Sequence, residues 1–256
     1  MIQNLIVSGG SFTATTMDHG GNDTNWPKHV RDKIKVKNFV NAARGAAGNS
    51  YICNSIIDVL STKKFNPTET LVLVMWSGTG CKDIRVSLDY LRTLSSYRYK
   101  TSDTNDLDKC YVFSGGLSNS WTQNSDTKKL FYHLYKSSDP FSLCKDSLLN
   151  FINLENYLKL YGFNYKFMSF INYWNPSVES VYTGDYSIGY FAKDIELYKS
   201  FNFDNWIFSD NDKNGIFELA QSRPDGLSND GFHPSAVVQQ IFADETILPQ
   251  IKGYFQ

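Results

Sequence analysis

Two short segments at opposite ends of the chain carry residue types that could do nucleophilic chemistry together. Residues 5–14 read LIVSGGSFTA: an apolar run of strand length, two glycines, then Ser11. Gly9 and Gly10 permit a tight turn, and a serine at the end of a strand stands where open α/β sheets bind ligands. That hydroxyl becomes a nucleophile only if a base reaches it from elsewhere. Residues 229–235 read NDGFHPS. Asp230 and His233, three apart on one turn, let a carboxylate hold the Nδ1–H of the imidazole while Nε2 faces a nucleophile. Either segment alone has a plain structural reading, as a Gly-Ser turn or a helix-entry loop. Together they make Ser11, His233 and Asp230 the candidate nucleophile, base and acid.

Strands alternating with helices must position these residues. Asn25-Trp26-Pro27 starts a short helix with Val30 and Ile34 inward. Residues 36–40 read as a second strand, followed by a small-residue loop, NAARGAAGN, over residues 41–49. That loop either offers backbone N–H groups to an anion at a helix start or merely permits close packing. Ile52, Ile56, Val59 and Leu60 then recur at helical spacing. Residues 71–75 (LVLVM) form the clearest strand, apolar throughout and so buried on both faces of a parallel sheet. Trp76 to Gly80 end it in a polar turn. A helix is expected around Val86, Leu88, Leu91 and Leu94, and a strand at residues 111–113. Asp139-Pro140 opens a long helix that Gly162 stops, and residues 165–171 are the next strand. Trp206-Ile207-Phe208 is a short apolar piece, and Ser235 caps a helix through Val237, Val238, Ile241 and Phe242. The pattern predicts one α/β domain over residues 1–256 with a parallel sheet and irregular insertions around 95–125 and 172–215.

Composition narrows the partners. Lys+Arg is 25 against Asp+Glu 26, so nothing electrostatic recommends nucleic acid. No apolar run could span a bilayer and no signal segment opens the sequence. The expected setting is therefore cytoplasmic, with no membrane partner. Cys53, Cys81, Cys110 and Cys144 are widely spaced and read as thiols in a reducing compartment. No two histidines stand at ligand spacing, so a zinc site is not expected. Aromatics make up 15% of the chain. Many lie in polar stretches such as residues 173–191, where they either fold back as packing or stack on a ligand, sugars included.

With these residues in view, the sequence resembles the SGNH (GDSL-type) hydrolases, serine esterases and lipases, along its whole length. Gly9-Gly10-Ser11-Phe12 is similar to the family's Gly-Asp-Ser-Leu block, with Gly10 where the acid usually stands. Residues 41–49 resemble the second block, and the oxyanion donor it implies is the N–H of Ala46, with Gly45 or Gly48 if the loop is shifted. Asp230-Gly-Phe-His233 matches the Asp-x-x-His block. The third block, Gly-x-Asn-Asp in the family, reads Gly78-Thr79-Gly80-Cys81 and lacks the asparagine whose side chain donates to the oxyanion. Either Thr79 or Asn49 replaces it, or the enzyme is slow, or activity is lost. Asn49 and Trp76 are the candidate substrate contacts.

The resemblance implies a three-layer α/β/α fold around a five-stranded parallel sheet, and ester hydrolysis without metal or organic cofactor. The Ser/Asp/His set and the aromatic-rich loops favour an acyl ester, acetyl first, of a small molecule or carbohydrate. An α/β-hydrolase fits less well, since Ser11 follows the first strand and lacks a GxSxG elbow. A binding or structural protein that keeps the fold is the second reading. A flavodoxin-like phosphate binder is the third; it has no P-loop lysine and leaves Asp230 and His233 unexplained. A polysaccharide substrate would be met inside the cell, or outside it by release or on a phage particle. Oligomeric state is open.

Overall fold

Strand β3 (Thr70–Trp76) is buried at every position, as an unbroken apolar run demands of a strand covered on both faces. The computed structural model describes residues 1–14, 25–85, 111–113, 129, 132–134, 136–182 and 185–255. In it, β3 lies between β1 (Asn4–Gly9), equally buried, and β6 (Asn164–Ser169), with β2 (Asn38–Asn41) outside β1. All pairings are parallel, giving the order β2-β1-β3-β6. The register sets Gly9 beside Met75 and Val7 beside Asn41, so the carboxyl ends of the first three strands converge on one edge.

Helices cover both faces. On one, α2 (Asn49–Thr62) packs on α3 (Pro140–Leu160). On the other, α1 (Trp26–Ile34) packs on the C-terminal helical segments. Start and stop signals act as their chemistry directs. Asp139 accepts the Ser142 N–H (2.9 Å) to cap α3. Past the end of α3, the N–H groups of Gly162 and Phe163 return to the carbonyls of Lys159 (3.2 Å) and Leu158 (2.9 Å).

The sheet has four strands where five were expected. The fifth place is held by a single residue. Phe167 N–H donates to Asn205 C=O (2.8 Å) and Ile207 N–H to Phe167 C=O (2.7 Å), laying Trp206 parallel beside β6. Pairing stops there because the chain turns back at once, Ser209 N–H bonding to Asn214 C=O (2.9 Å).

Residues 172–215 are more ordered than a loop-rich insertion. They contain an antiparallel hairpin of β7 (Ser180–Tyr182) and β8 (Asp185–Tyr186), then the short helix α4 (Ile188–Phe191). Most of their aromatics are packed: Tyr173 and Trp174 are buried, and Trp174 stacks on Phe201 at 5.1 Å. Tyr182 and Tyr190 stay exposed. The helix expected at residues 86–94 and most of the 95–125 insertion lie outside the described residues. Within it, β5 (Tyr111–Phe113) pairs antiparallel with β4 (Asp83–Arg85). Cys53, Cys81 and Cys144 are free thiols, pushed up to about 12 by burial and so unreactive near neutral pH. Among the described residues no helix is long and apolar enough to cross a membrane.

The first turn depends on close approach. A Cβ on Gly9 would collide with Thr13 Oγ1 and stand 2.9 Å from the Met75 carbonyl oxygen. Gly9→Ala is therefore expected to lower stability by about 1–3 kcal/mol, the usual cost of overpacking a tight interior. Urea unfolding of both proteins measures it; an unchanged midpoint would mean the turn yields freely.

Candidate active site

The nucleophile turn is wound directly onto the end of β1. The N–H groups of Thr13 and Ala14 both donate to Gly10 C=O (3.0 Å each), leaving Ser11 at the start of the turn. Three separate elements then hold it. Asn25, just before α1, and Asn41, at the end of β2, both donate side-chain N–H to Thr13 C=O (2.7 and 3.2 Å). Buried Gln239, on α5 (Ala236–Ile241), donates to Phe12 C=O (3.4 Å) and accepts the Trp26 N–H (3.0 Å). One amide thus joins the turn to α1.

The acid–base turn is closed by its own backbone. Ser228 N–H donates to His233 C=O (2.7 Å) and Ser235 N–H to Gly226 C=O (2.8 Å). Gly231 takes φ 70°, a conformation costly for most side chains. Within this loop Asp230 Oδ1 accepts from Ser228 Oγ (2.6 Å), Phe232 N–H (2.9 Å) and His233 N–H (2.9 Å). Its Oδ2 faces His233 Nδ1 at 2.5 Å, and His233 Nε2 lies 2.8 Å from Ser11 Oγ. Partial burial pushes the Asp230 carboxyl up, but the bonds from Ser228, Phe232 and His233 outweigh it and hold the group well below the usual carboxylate range. An ionised carboxylate only accepts, so Nδ1 carries the proton and the Nε2 lone pair meets the Ser11 hydroxyl. This arrangement can draw a proton from Ser11 and return it elsewhere.

Beneath the polar chain lies an aromatic floor. The rings of Phe12 and Phe232, sequence neighbours of Ser11 and His233, meet edge to face at 5.2 Å. Both also touch the imidazole, at 5.1 and 5.2 Å.

The remaining predicted positions divide. Thr79 does not face the site. It is buried, its hydroxyl donating to Tyr186 C=O (3.1 Å) and accepting Tyr186 N–H (2.7 Å), and its one proton is thereby used on β8. Asn49 braces the layers instead, accepting Ser77 N–H (2.9 Å) and donating to Ser147 Oγ (3.1 Å) on α3. The N–H of Gly80 is bonded to Asp185 Oδ1 (2.8 Å) and that of Gly48 to Asp83 Oδ1 (2.6 Å), so neither is available to an oxyanion. Trp76 is fully buried against Phe151 (4.5 Å) and Phe167 (5.4 Å) and cannot touch substrate.

The N–H groups of Ser11, Gly45 and Ala46 have no protein acceptor among the described residues. The loop bearing the last two is drawn along β1 by bonds from Ala42 N–H to Val7 C=O (2.8 Å) and Arg44 N–H to Gly9 C=O (3.1 Å). Ala46 takes φ 66°. Ser77, rather than Thr79, presents its hydroxyl to the nucleophile turn: its Oγ stands 3.1 Å from where a Cβ on Gly10 would sit.

The same architecture occurs in solved structures. TesA shares 12% identity with this chain at a TM-score of 0.50, covering 98% of this chain and 99% of its own. The psychrotrophic esterase EstA from Pseudoalteromonas sp. shares 13% at 0.51, covering 98% of each chain. The lipase Lip_vut3 from goat rumen metagenome shares 13% at 0.50, covering 98% and 97%. The chain has the SGNH-hydrolase fold. Neither a protein-family model nor a curated protein matches the sequence. The SGNH likeness is thus one of architecture, spanning nearly the whole of each chain.

Sequence reasoning missed Gln239, Ser228, Asp83 and Asp185 in this SGNH frame. Gln239 carried a signal, a polar side chain between apolar Val238 and Phe242 on one helix. The two acids carried none, because the backbone groups that they hold lie 105 and 35 or fewer positions away.

Asp83 caps α2 from another strand, accepting Gly48 N–H (2.6 Å) and Tyr51 N–H (2.7 Å). Asp185, 7% exposed, holds Gly80. Burial pushes Asp185 up to about 6 against the opposing Gly80 bond. A carboxyl raised on folding binds more protons folded than unfolded, so stability falls as pH rises from the ordinary 3.8 through about 6. Asp185→Asn keeps the acceptor for Gly80 and removes the charge. Its stability relative to wild type should rise between about pH 4.5 and about pH 8, by up to about 2 kcal/mol. Urea unfolding at the two pH values reads the change; parallel curves would show that Asp185 titrates normally.

Proposed function

We propose that this protein is a serine ester hydrolase of SGNH type, removing a short acyl group, acetyl first, from an alcohol such as a carbohydrate hydroxyl. The observation that carries the reading is the hydrogen-bonded chain from Ser11 Oγ through both His233 ring nitrogens to Asp230. A structural role for so exposed an acid–base turn would not require its ring to reach a hydroxyl 222 residues away. The likeness in fold to an esterase and a lipase agrees with it.

In this mechanism His233 Nε2 takes the Ser11 proton as Oγ attacks the ester carbonyl. Asp230 fixes the tautomer and stabilises the imidazolium. The carbonyl oxygen becomes an oxyanion and accepts from the N–H of Ser11 and of Ala46, with Gly45 beside it. Collapse breaks the bond to the leaving oxygen, which takes the proton from Nε2 and departs as the alcohol. Water, deprotonated by the same nitrogen, attacks the acyl-Ser11 carbonyl and releases the acid with Ser11 restored. No metal or organic cofactor is needed. Gly10, Gly45 and Ala46 beside the nucleophile suit a small acyl group.

A second reading, an SGNH-fold protein with slow turnover, is favoured by the engagement of Thr79 and Asn49 elsewhere. Loss of one oxyanion donor costs about 10²–10³ in kcat in an enzyme built to use it.

A fluorophosphonate is expected to add one adduct at Ser11, read by intact mass and peptide mapping, and Ser11→Ala to abolish it. EstA has been solved inhibited by monoethylphosphonate, a related reagent. No adduct on folded protein would overturn the reading. Asp230→Asn should lower kcat on an activated acetate by roughly 10⁴-fold, because the amide favours the wrong imidazole tautomer. A loss below about tenfold would remove Asp230 from the machinery.

A further inference from the structure

We infer that Phe232 and Tyr182 form a shelf for the alcohol half of the ester, and that this alcohol presents a flat ring face. The inference rests on the proposed hydrolysis, which fixes where the alcohol must lie. His233 Nε2 hands its proton to the leaving oxygen, so the alcohol stands on the imidazole side, away from the Gly45–Ala46 loop.

On that side the surface is aromatic. Phe232 precedes His233 and meets its ring edge-on, 5.2 Å between centroids at 81°. Tyr182, from the β7–β8 hairpin, lies 5.2 Å from Phe232 with the rings inclined at 37°. Behind both stands buried Phe217, at 5.4 Å from Phe232 and 5.5 Å from Tyr182, with Phe12 perpendicular to Phe232. The inner faces are therefore filled while Tyr182 stays 39% exposed.

Rigid rings held from behind cost little to order and offer a π face with a polar tip. Such a surface takes the C–H face of a pyranose or the face of an aryl ring, and it gains little from a short flexible alcohol. Sugar and aryl alcohols share this chemistry, and the experiment separates them.

The test compares kcat/KM for ethyl acetate, phenyl acetate and a mono-O-acetyl methyl pyranoside in wild type, Tyr182→Ala and Tyr182→Phe. Tyr182→Ala should lower the ring-ester over ethyl-acetate ratio roughly tenfold, and Tyr182→Phe should restore most of it. The effect should sit in KM rather than kcat. A fall with the pyranoside identifies a sugar alcohol, and a fall with phenyl acetate alone an aryl one. A ratio unchanged within about twofold, or equal loss on all three esters, overturns the shelf while leaving the hydrolase reading standing. A loss that tracks acyl length across p-nitrophenyl esters overturns it too, placing the acyl group on Tyr182. If wild type neither hydrolyses any ester nor takes the fluorophosphonate, the hydrolase reading itself falls.

Discussion

The contact between Phe12 and Phe232 is what the rest of the site depends on. Ser11 and His233 come from opposite ends of the chain, and the 2.8 Å bond between them cannot hold two loops in place alone, a side-chain hydrogen bond contributing only about 1 kcal/mol net. Two buried or half-buried rings meeting edge to face at 5.2 Å, each one residue from Ser11 or His233, fix the spacing through packing. Gln239 does the polar half of the task, bonding the nucleophile turn on one side and the start of α1 on the other. The imidazole then has little freedom left, with rings on two of its sides and a carboxylate at Nδ1.

Carboxylates in this fold do opposite things according to what surrounds them. Near the surface Asp230 accepts from Ser228, Phe232 and the backbone and ring of His233 among the described residues, and these bonds hold it ionised. Asp185 and Asp83 serve backbone N–H groups at the far side of the same edge, and burial raises both. They tie the turn after β3 and the start of α2, and so place the small-residue loop without entering the chemistry. The same ties engage the N–H groups of Gly80 and Gly48, whereas those of Ser11, Gly45 and Ala46 have no protein acceptor among the described residues.

The parts legible in the sequence were local. Ser11 after Gly9-Gly10, Asp230 three before His233, the apolar run of β3 and the Asp139 cap all depend on neighbours within a few positions. The misread residues depend on distant ones. Thr79 looks like a free hydroxyl until β8, more than a hundred positions later, claims both its lone pair and its proton. Trp76 ends a strand whose two faces are both covered, so either direction for its ring would lead inward. The fifth strand was implied by the family resemblance and not by the residues; the place beside β6 holds only the Trp206 bridge, because pairing there is set by how soon the chain turns away. The share of loop aromatics that pack, against the few that face solvent, likewise follows from tertiary neighbours such as Phe201 and Phe217.

The 222-residue separation between Ser11 and His233 also governs when the site can come into being. During synthesis Ser11 emerges 222 residues before His233, so over that whole interval a nascent chain carries the hydroxyl without the imidazole that it bonds in the folded protein. The contact that closes the site is non-local, and the entropy of closing so long a loop is lost before such a contact repays it. On the proposed mechanism such a site proofreads its own completion: a chain cut or stalled before residue 233 lacks the proposed base, whatever part of the sheet it has already built.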